Sequence, residues 1–351
     1  MTVLVIKHVN KNKMRRWKHR QFLLRRRLKL YKRKTSIRKK DQKITRHSPF
    51  RKNLMAPVRL DLGNKETQVF LNSVRECADD PFCSLKIDFT NIDYISPGCA
   101  LVFTSELDRL RKIRGKNNKL HVVDFNNWKE EIKYLLYDMG MFDLLNIQNI
   151  PVDFGKDRKA TDMIFLKFMS GNLVNPDDVL VFRDTLSNII DVLPNKKKLK
   201  IALDEAMDNV LSHGYPDEFI KDNPLKQKMW WMSASVNRQT NTLNVMFFDQ
   251  GIGIPKSLPK TRPNLLTKIL GMSDSAKIRE ATYAGISQTN LKNRGNGLPQ
   301  IIEYVTSLDK EAFVRILSDK GEYIKGNSTS EKLNDKQYGI NGTLIEWQVK
   351  L

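Results

Sequence analysis

The sequence is poor in cysteine, has no long apolar run, and nearly lacks acidic side chains at its N-terminal end. Its three cysteines, Cys77, Cys83 and Cys99, show no CxxC pairing. That argues against a structural zinc site and reads as three ordinary buried thiols in a reducing compartment. No stretch reaches the roughly eighteen apolar residues that a membrane-spanning helix needs. The opening residues MTVLVIKHV run straight into a basic tract without a small-residue cleavage site, so a secretory signal is not expected and the expected location is the cytoplasm. Residues 1–55 carry a single acid, Asp41, against 21 Lys and Arg, a charge of +20 within a whole-chain charge of +22. The other 40 bases and 38 acids nearly cancel, so any polyanion met by this chain is met by the arm.

At 351 residues the chain is longer than one core usually serves, which suggests two domains and an appendage. In the arm, RRWKHRQFLLRRRLKLYKRK spaces Trp17, Leu24, Leu28 and Tyr31 by seven, four and three, lining one side of a helix with basic residues elsewhere. Three partners suit such a helix: a nucleic-acid backbone contacted through residues 11–52, an anionic membrane surface, or an acidic groove on a protein.

From residue 56 to about 150, strand and helix signals alternate: VRLDL, a helix around Glu66 to Cys77, LKIDF, a helix after Pro97, KLHVVDF, and the helical KEEIKYLLYDMGMFDLL. Short apolar strands separated by helices indicate an α/β layer with a mostly parallel sheet. The segment LKIDFTNIDYISPGCALVFTSELDRL resembles the core of a STAS domain, the fold of bacterial anti-anti-sigma factors. In that family a Ser-Gly or Thr-Gly pair opens the helix and its hydroxyl accepts phosphate. Here Pro97 precedes Gly98 and Ser96 lies one place earlier, so the resemblance implies an interaction or dimerisation module without the phospho-switch, and any role of Ser96 stays open.

Residues 151–160 read as a polar linker, after which DMIFLKFMS has the character of a strand. Asn175 and Pro176 form an N-cap and first helical position, with Asp177 and Asp178 in the first turn. A second helix begins near Lys197 and carries an apolar stripe of Leu199, Ala202, Leu203, Ala206, Met207 and Val210. On another face Glu205, Asn209 and His213 recur at i, i+4 and i+8, so an acid and an amide can meet one ligand. A carboxylate can polarise an attacking hydroxyl while a neutral oxygen helps to hold Mg²⁺. Further on, LNVMFFDQGIGIP ends a strand at Asp249, followed by Gly251 and Gly253, and NRGNGLPQII places Gly295 and Gly297 before a helix, where backbone N–H groups can receive phosphate.

The order of these elements, closed by a strand over Ile340 to Trp347 with Gly342 and Thr343, resembles the nucleotide-binding boxes of the gyrase, heat-shock chaperone, histidine kinase and mismatch-repair (GHKL) superfamily. Within it, EAMDNVLSHGY looks most like the anti-sigma-factor serine kinases. The resemblance implies a Bergerat-type two-layer α/β sandwich over residues 161–351, with a mixed sheet on one side and helices on the other. The expected fold class is thus α/β in the wider α+β sense: an arm, a STAS-like domain over 56–150, and this sandwich.

ATP and Mg²⁺ are the implied cofactors. Glu205 would be the general base and Asn209 the Mg²⁺ ligand. Asp249 would read adenine, with Gly251 and Gly253 in close approach and Thr343 in support. Gly295 and Gly297 would contact phosphate, and Lys292 and Arg294, in a lid over about Lys268 to Arg294, would reach the γ-phosphate. Pro299 stands where the superfamily often has another glycine. The implied partner is a sigma-factor-type regulator or STAS protein. Kinase or ATPase, and homodimer or monomer, stay open at this point.

Overall fold

The computed structural model describes residues 50–115, 119–148, 150–151, 153–155, 163–283 and 297–351. The arm up to residue 49, most of the linker, and Lys292, Arg294 and Gly295 lie outside the described residues. Residues 51–351 form one unit.

The first half begins with strand β1, Phe50–Met55, continues through the short β2, Arg59–Leu60, and enters helix α1, Lys65–Asp79. Strand β3, Cys83–Asp88, and β4, Tyr94–Ile95, lead to helix α2, Pro97–Arg114, then β5, Leu120–Val123, and helices α3, Glu130–Asp138, and α4, Met141–Leu144. One sheet runs β1-β3-β5 with β3 and β5 parallel, and β2 pairs with β4 in parallel. Phe50–Met55 was expected to belong to the arm. Its side chains alternate between exposed and partly covered along Arg51–Met55, the period of a strand, under a basic composition that hides the pattern.

The second half opens with β6, Met163–Phe165, and β7, Met169–Gly171, which pair with opposite ends of one neighbour instead of forming a single strand. Helices α5, Pro176–Ser187, α6, Lys196–Asn209, and α7, Asp217–Asp222, follow. The hairpin β8, Trp230–Asn237, and β9, Thr242–Asp249, precedes α8, Ile254–Thr261, α9, Leu266–Ile269, α10, Asp274–Tyr283, and α11, Gly297–Thr306. A long ribbon of β10, Ala312–Gly326, and β11, Lys332–Lys350, completes it. The sheet order is β10-β11-β9-β8-β6, with β7 also on β8, and its pairings are antiparallel throughout the described residues. That corrects the expected mixed sheet. Turns as short as Arg238–Asn241 between β8 and β9 permit only antiparallel neighbours.

Alternation along this sheet feeds two cores. Trp230, Met232, Val245, Phe247, Ile345 and Trp347 join Leu203, Met207 and Ile301 of α6 and α11. Their neighbours Trp231, Met246, Phe248 and Leu344 face the other way and pack with Phe103, Leu107 and Phe89 of the first half. Helix α2 therefore lies between α1 and the second sheet and is buried continuously from Gly98 to Leu110. Its polar residues are paired: Glu106 with Arg75 at 2.6 Å, Arg109 with Asp79 at 2.7 Å, and Asp108 with the Trp231 indole at 2.7 Å. Pro97 occupies its first turn after Ser96, whose hydroxyl makes no cap bond. The Gly98 backbone N–H donates to the buried Glu346 carboxylate of β11, so a side chain from the second half fills this helix N-terminus.

Cys77 and Cys83 are joined in a disulfide across the α1–β3 turn, which corrects the expectation of three free thiols; Cys99 is free and buried. The two Cα atoms lie 5.4 Å apart, within bridging range, because the turn folds back over only six positions. No helix of the described residues is long and apolar enough to cross a membrane.

Candidate active site

A cavity of about 800 Å³ opens between α6, α8, α11, the end of β9 and the middle of β11. Helix α6 turns its apolar stripe to the sheet and leaves Glu205 and Asn209 on the cavity wall. After Asn209 the chain winds into a π-helical turn, Val210–Gly214. The wider turn takes His213 off the straight row predicted for it, yet the residue still lines the cavity, and burial lowers its pKa. The turn also delivers Gly214, whose carbonyl accepts from the Ile252 N–H at 2.8 Å.

Asp249 lies at the end of β9, 6 % exposed. Its Oδ1 accepts from the Gly251 N–H at 2.7 Å, and the Thr343 hydroxyl also donates to it. Burial outweighs these bonds and raises its pKa to about 7. Gly251 is required by contact, since a Cβ there would overlap the Gly214 carbonyl. Gly253 has φ of +82°, open to glycine at little cost. Glu205 is raised by partial burial and then by the negative charges of Asp208 and Asp204, a direction that suits a proton acceptor.

The predicted residues Glu205, Asn209, Asp249, Gly253, Gly297 and Thr343 thus meet around one cavity, and Gly251 stands just behind it. Pro299 lines it too. The near half of the expected lid is helical: α10 packs on β10 with Ile278 fully buried, and residues 284–296 lie outside the described residues.

Sequence reasoning missed the wall made by α8, which contributes Ile254, Ser257, Leu258 and Thr261. Their spacing of three, four and seven is that of one helix face, obscured by Pro259 inside the helix. It also missed Ser318. Its buried hydroxyl accepts from the Ile254 N–H at 2.9 Å, donates to the Gly342 carbonyl at 3.1 Å, and lies 3.0 Å from the Thr343 hydroxyl, tying α8 to β11.

Among the described residues no group of three or more His, Cys, Asp or Glu could hold a metal ion. Asn209 differs: its amide nitrogen is buried without a hydrogen-bond partner among the described residues, a donor with unused capacity toward an acceptor such as a phosphate oxygen, while its amide oxygen is the atom that would face a cation. One neutral oxygen suits Mg²⁺, which takes few protein ligands and completes its shell with water and phosphate. The chain matches no protein-family model and no curated protein.

Proposed function

We propose that the second half is an ATP-binding domain of the GHKL type and that the chain transfers the γ-phosphate to a serine or threonine hydroxyl of a protein partner. The observation that carries this reading is the convergence of Glu205, Asn209, Asp249, Gly297 and Thr343, from four separate segments, on one cavity of about 800 Å³. The volume suits a nucleotide. Asp249 accepts the adenine amino group at the inner end, supported by the Thr343 hydroxyl. Gly297, at the N-terminus of α11, admits phosphate oxygens against backbone N–H groups. Asn209 would hold Mg²⁺, which neutralises charge on the phosphates when bound.

At the outer end Glu205 takes the proton of the attacking hydroxyl as its oxygen bonds to the γ-phosphorus, and the bridging P–O bond breaks to release ADP. Asp204 and Asp208 beside it hold its basicity up. Water in place of the hydroxyl gives hydrolysis by the same steps. One feature favours an ATP-driven switch as the second reading: the STAS-like half has Pro97 where a phosphoacceptor would stand, and its helix N-terminus is filled by Glu346. In that reading nucleotide controls binding by the arm and the STAS-like half, the arm contacting nucleic acid.

The test is incubation of the full chain with γ-labelled ATP and Mg²⁺, following free phosphate and labelled protein together, with Glu205→Ala as control. Label on the chain or a co-purified partner supports the kinase. Free phosphate alone supports the switch, and label transfer retained by Glu205→Ala would sink the assignment of the base.

A further inference from the structure

Asp249 and Gln250 are consecutive at the end of β9, so their side chains leave the sheet on opposite faces. Asp249 faces the cavity. Gln250, 2 % exposed, reaches into the first half, where its Nε2 donates to the hydroxyl of Ser105 on α2 at 3.0 Å. That hydroxyl is itself fixed, because it donates to the Val102 carbonyl at 2.6 Å. The Gln250 backbone N–H donates to the Tyr215 hydroxyl at 2.9 Å, and Tyr215 donates to the Met229 carbonyl at 2.8 Å. Gln250 Oε1 is buried without a partner among the described residues, so the bond to Ser105 is what orients the amide.

Ser105 does not act alone on α2. Three positions on, Asp108 accepts the Trp231 indole N–H at 2.7 Å, and Trp231 precedes Met232 on the strand whose first residue, Trp230, pairs with Asp249. One face of α2 thus grips the ends of β8 and β9 directly behind the carboxylate that faces the cavity.

We infer that Gln250 is a positioning residue for the nucleotide cavity, held from behind by Ser105, so that the STAS-like half sets the affinity of the ATP-binding half. The inference rests on the reading of the cavity as an ATP site. Its chemistry is simple. Asp249 must present one oxygen to a planar amino group while the other bonds stay made, and the backbone between Asp249 and Gly251 decides where that oxygen points. Gln250 is that backbone. A shift of α2 pulls on its amide, and nucleotide binding in turn pulls on α2, because coupling between two sites is reciprocal.

The experiment titrates the full chain with a fluorescent, non-hydrolysable ATP analogue and Mg²⁺, and records the urea unfolding midpoint of each variant alongside. Ser105→Ala and Gln250→Met each weaken binding by about tenfold, and the double variant is no weaker than either single one, the signature of a shared interaction. Ser105→Thr, which keeps the hydroxyl, restores the wild-type affinity. Single variants that bind as wild type, or losses that multiply in the double variant, would overturn the inference while leaving the cavity reading intact. A wild-type chain that takes no nucleotide removes the cavity reading, and this inference with it.

Discussion

Gly297 lies directly against the side-chain amide of Asn209: a Cβ at Gly297 would stand 3.0 Å from both Nδ2 and Oδ1. A methyl group between the first residue of α11 and the last of α6 would therefore fit only if the Asn209 amide gave way by a few tenths of an ångström. Gly297→Ala pushes the amide aside while leaving Glu205 and Asp249 in place. The expected outcome is a loss of 10- to 100-fold in Mg²⁺ affinity, the scale for disturbing a group behind a metal ligand. ATP-analogue binding measured with Mg²⁺ and with chelator decides it: an equal loss in both would place the effect elsewhere.

Glu205→Ala should lower phosphate release or transfer by about 10²- to 10⁴-fold with nucleotide affinity nearly unchanged. Asp208→Asn tests the electrostatics of the same group. Asp208 raises the Glu205 pKa, so its removal lowers that pKa and moves the acid limb of the rate profile to lower pH. An acid limb that stays put would mean that another group titrates there.

Asp249 gives a stability prediction of definite sign. Burial raises its folded pKa to about 7 against 3.8 for the free group. The protonated form is favoured in the fold, so its contribution is fully present below pH 4 and is lost as pH rises to about 7. Asp249→Asn lacks this slope. Its stability relative to wild type should grow across that window by up to about 4 kcal/mol, read by urea unfolding at pH 4 and pH 8; parallel profiles would refute it.

The Cys77–Cys83 bridge closes a short loop, and the chain-entropy relation gives about 2 kcal/mol for one of this length. Cys77→Ser, or reductant, should lower stability by that amount without changing nucleotide affinity. Alkylation of all three cysteines in the chain unfolded in urea without reductant would show that the bridge does not form in solution.

For the arm, the expected result is sequence-independent binding to DNA or RNA that falls steeply with salt. Because Phe50–Met55 is strand β1, the deletion that tests this ends at residue 49. Unchanged binding after that deletion would refute the nucleic-acid reading.

Much of the cavity was legible because its parts are local. Glu205 and Asn209 share a helix face, and Asp249 with its glycines ends an apolar strand, so each cluster is visible within a dozen residues. What was not legible joins distant positions. Ser105 and Gln250 are 145 residues apart, and a buried serine in a helix gives no sign of its acceptor role. Ser318 sits 64 residues from Ile254, in a strand whose pattern predicts only burial. The antiparallel sheet was not legible in the family resemblance, because its pairings are set by turns as short as Arg238–Asn241. The disulfide was not legible because Cys77 and Cys83 are brought together by a turn between a helix and a strand, which their spacing alone does not reveal.

The sheet order β10-β11-β9 places β11 between strands made earlier, and β11 contributes to both cores through Leu344 on one face and Ile345 and Trp347 on the other. On the ribosome, Lys332–Lys350 is synthesised after every other described element. The hairpin β8–β9 and the face of α2 that meets Glu346 must wait for it, with apolar surface uncovered in the meantime. The first half therefore cannot cover its apolar face during its own synthesis, and it stays open to non-native contacts until the last strand of the second half is made, an exposure that two independently folding domains would not impose.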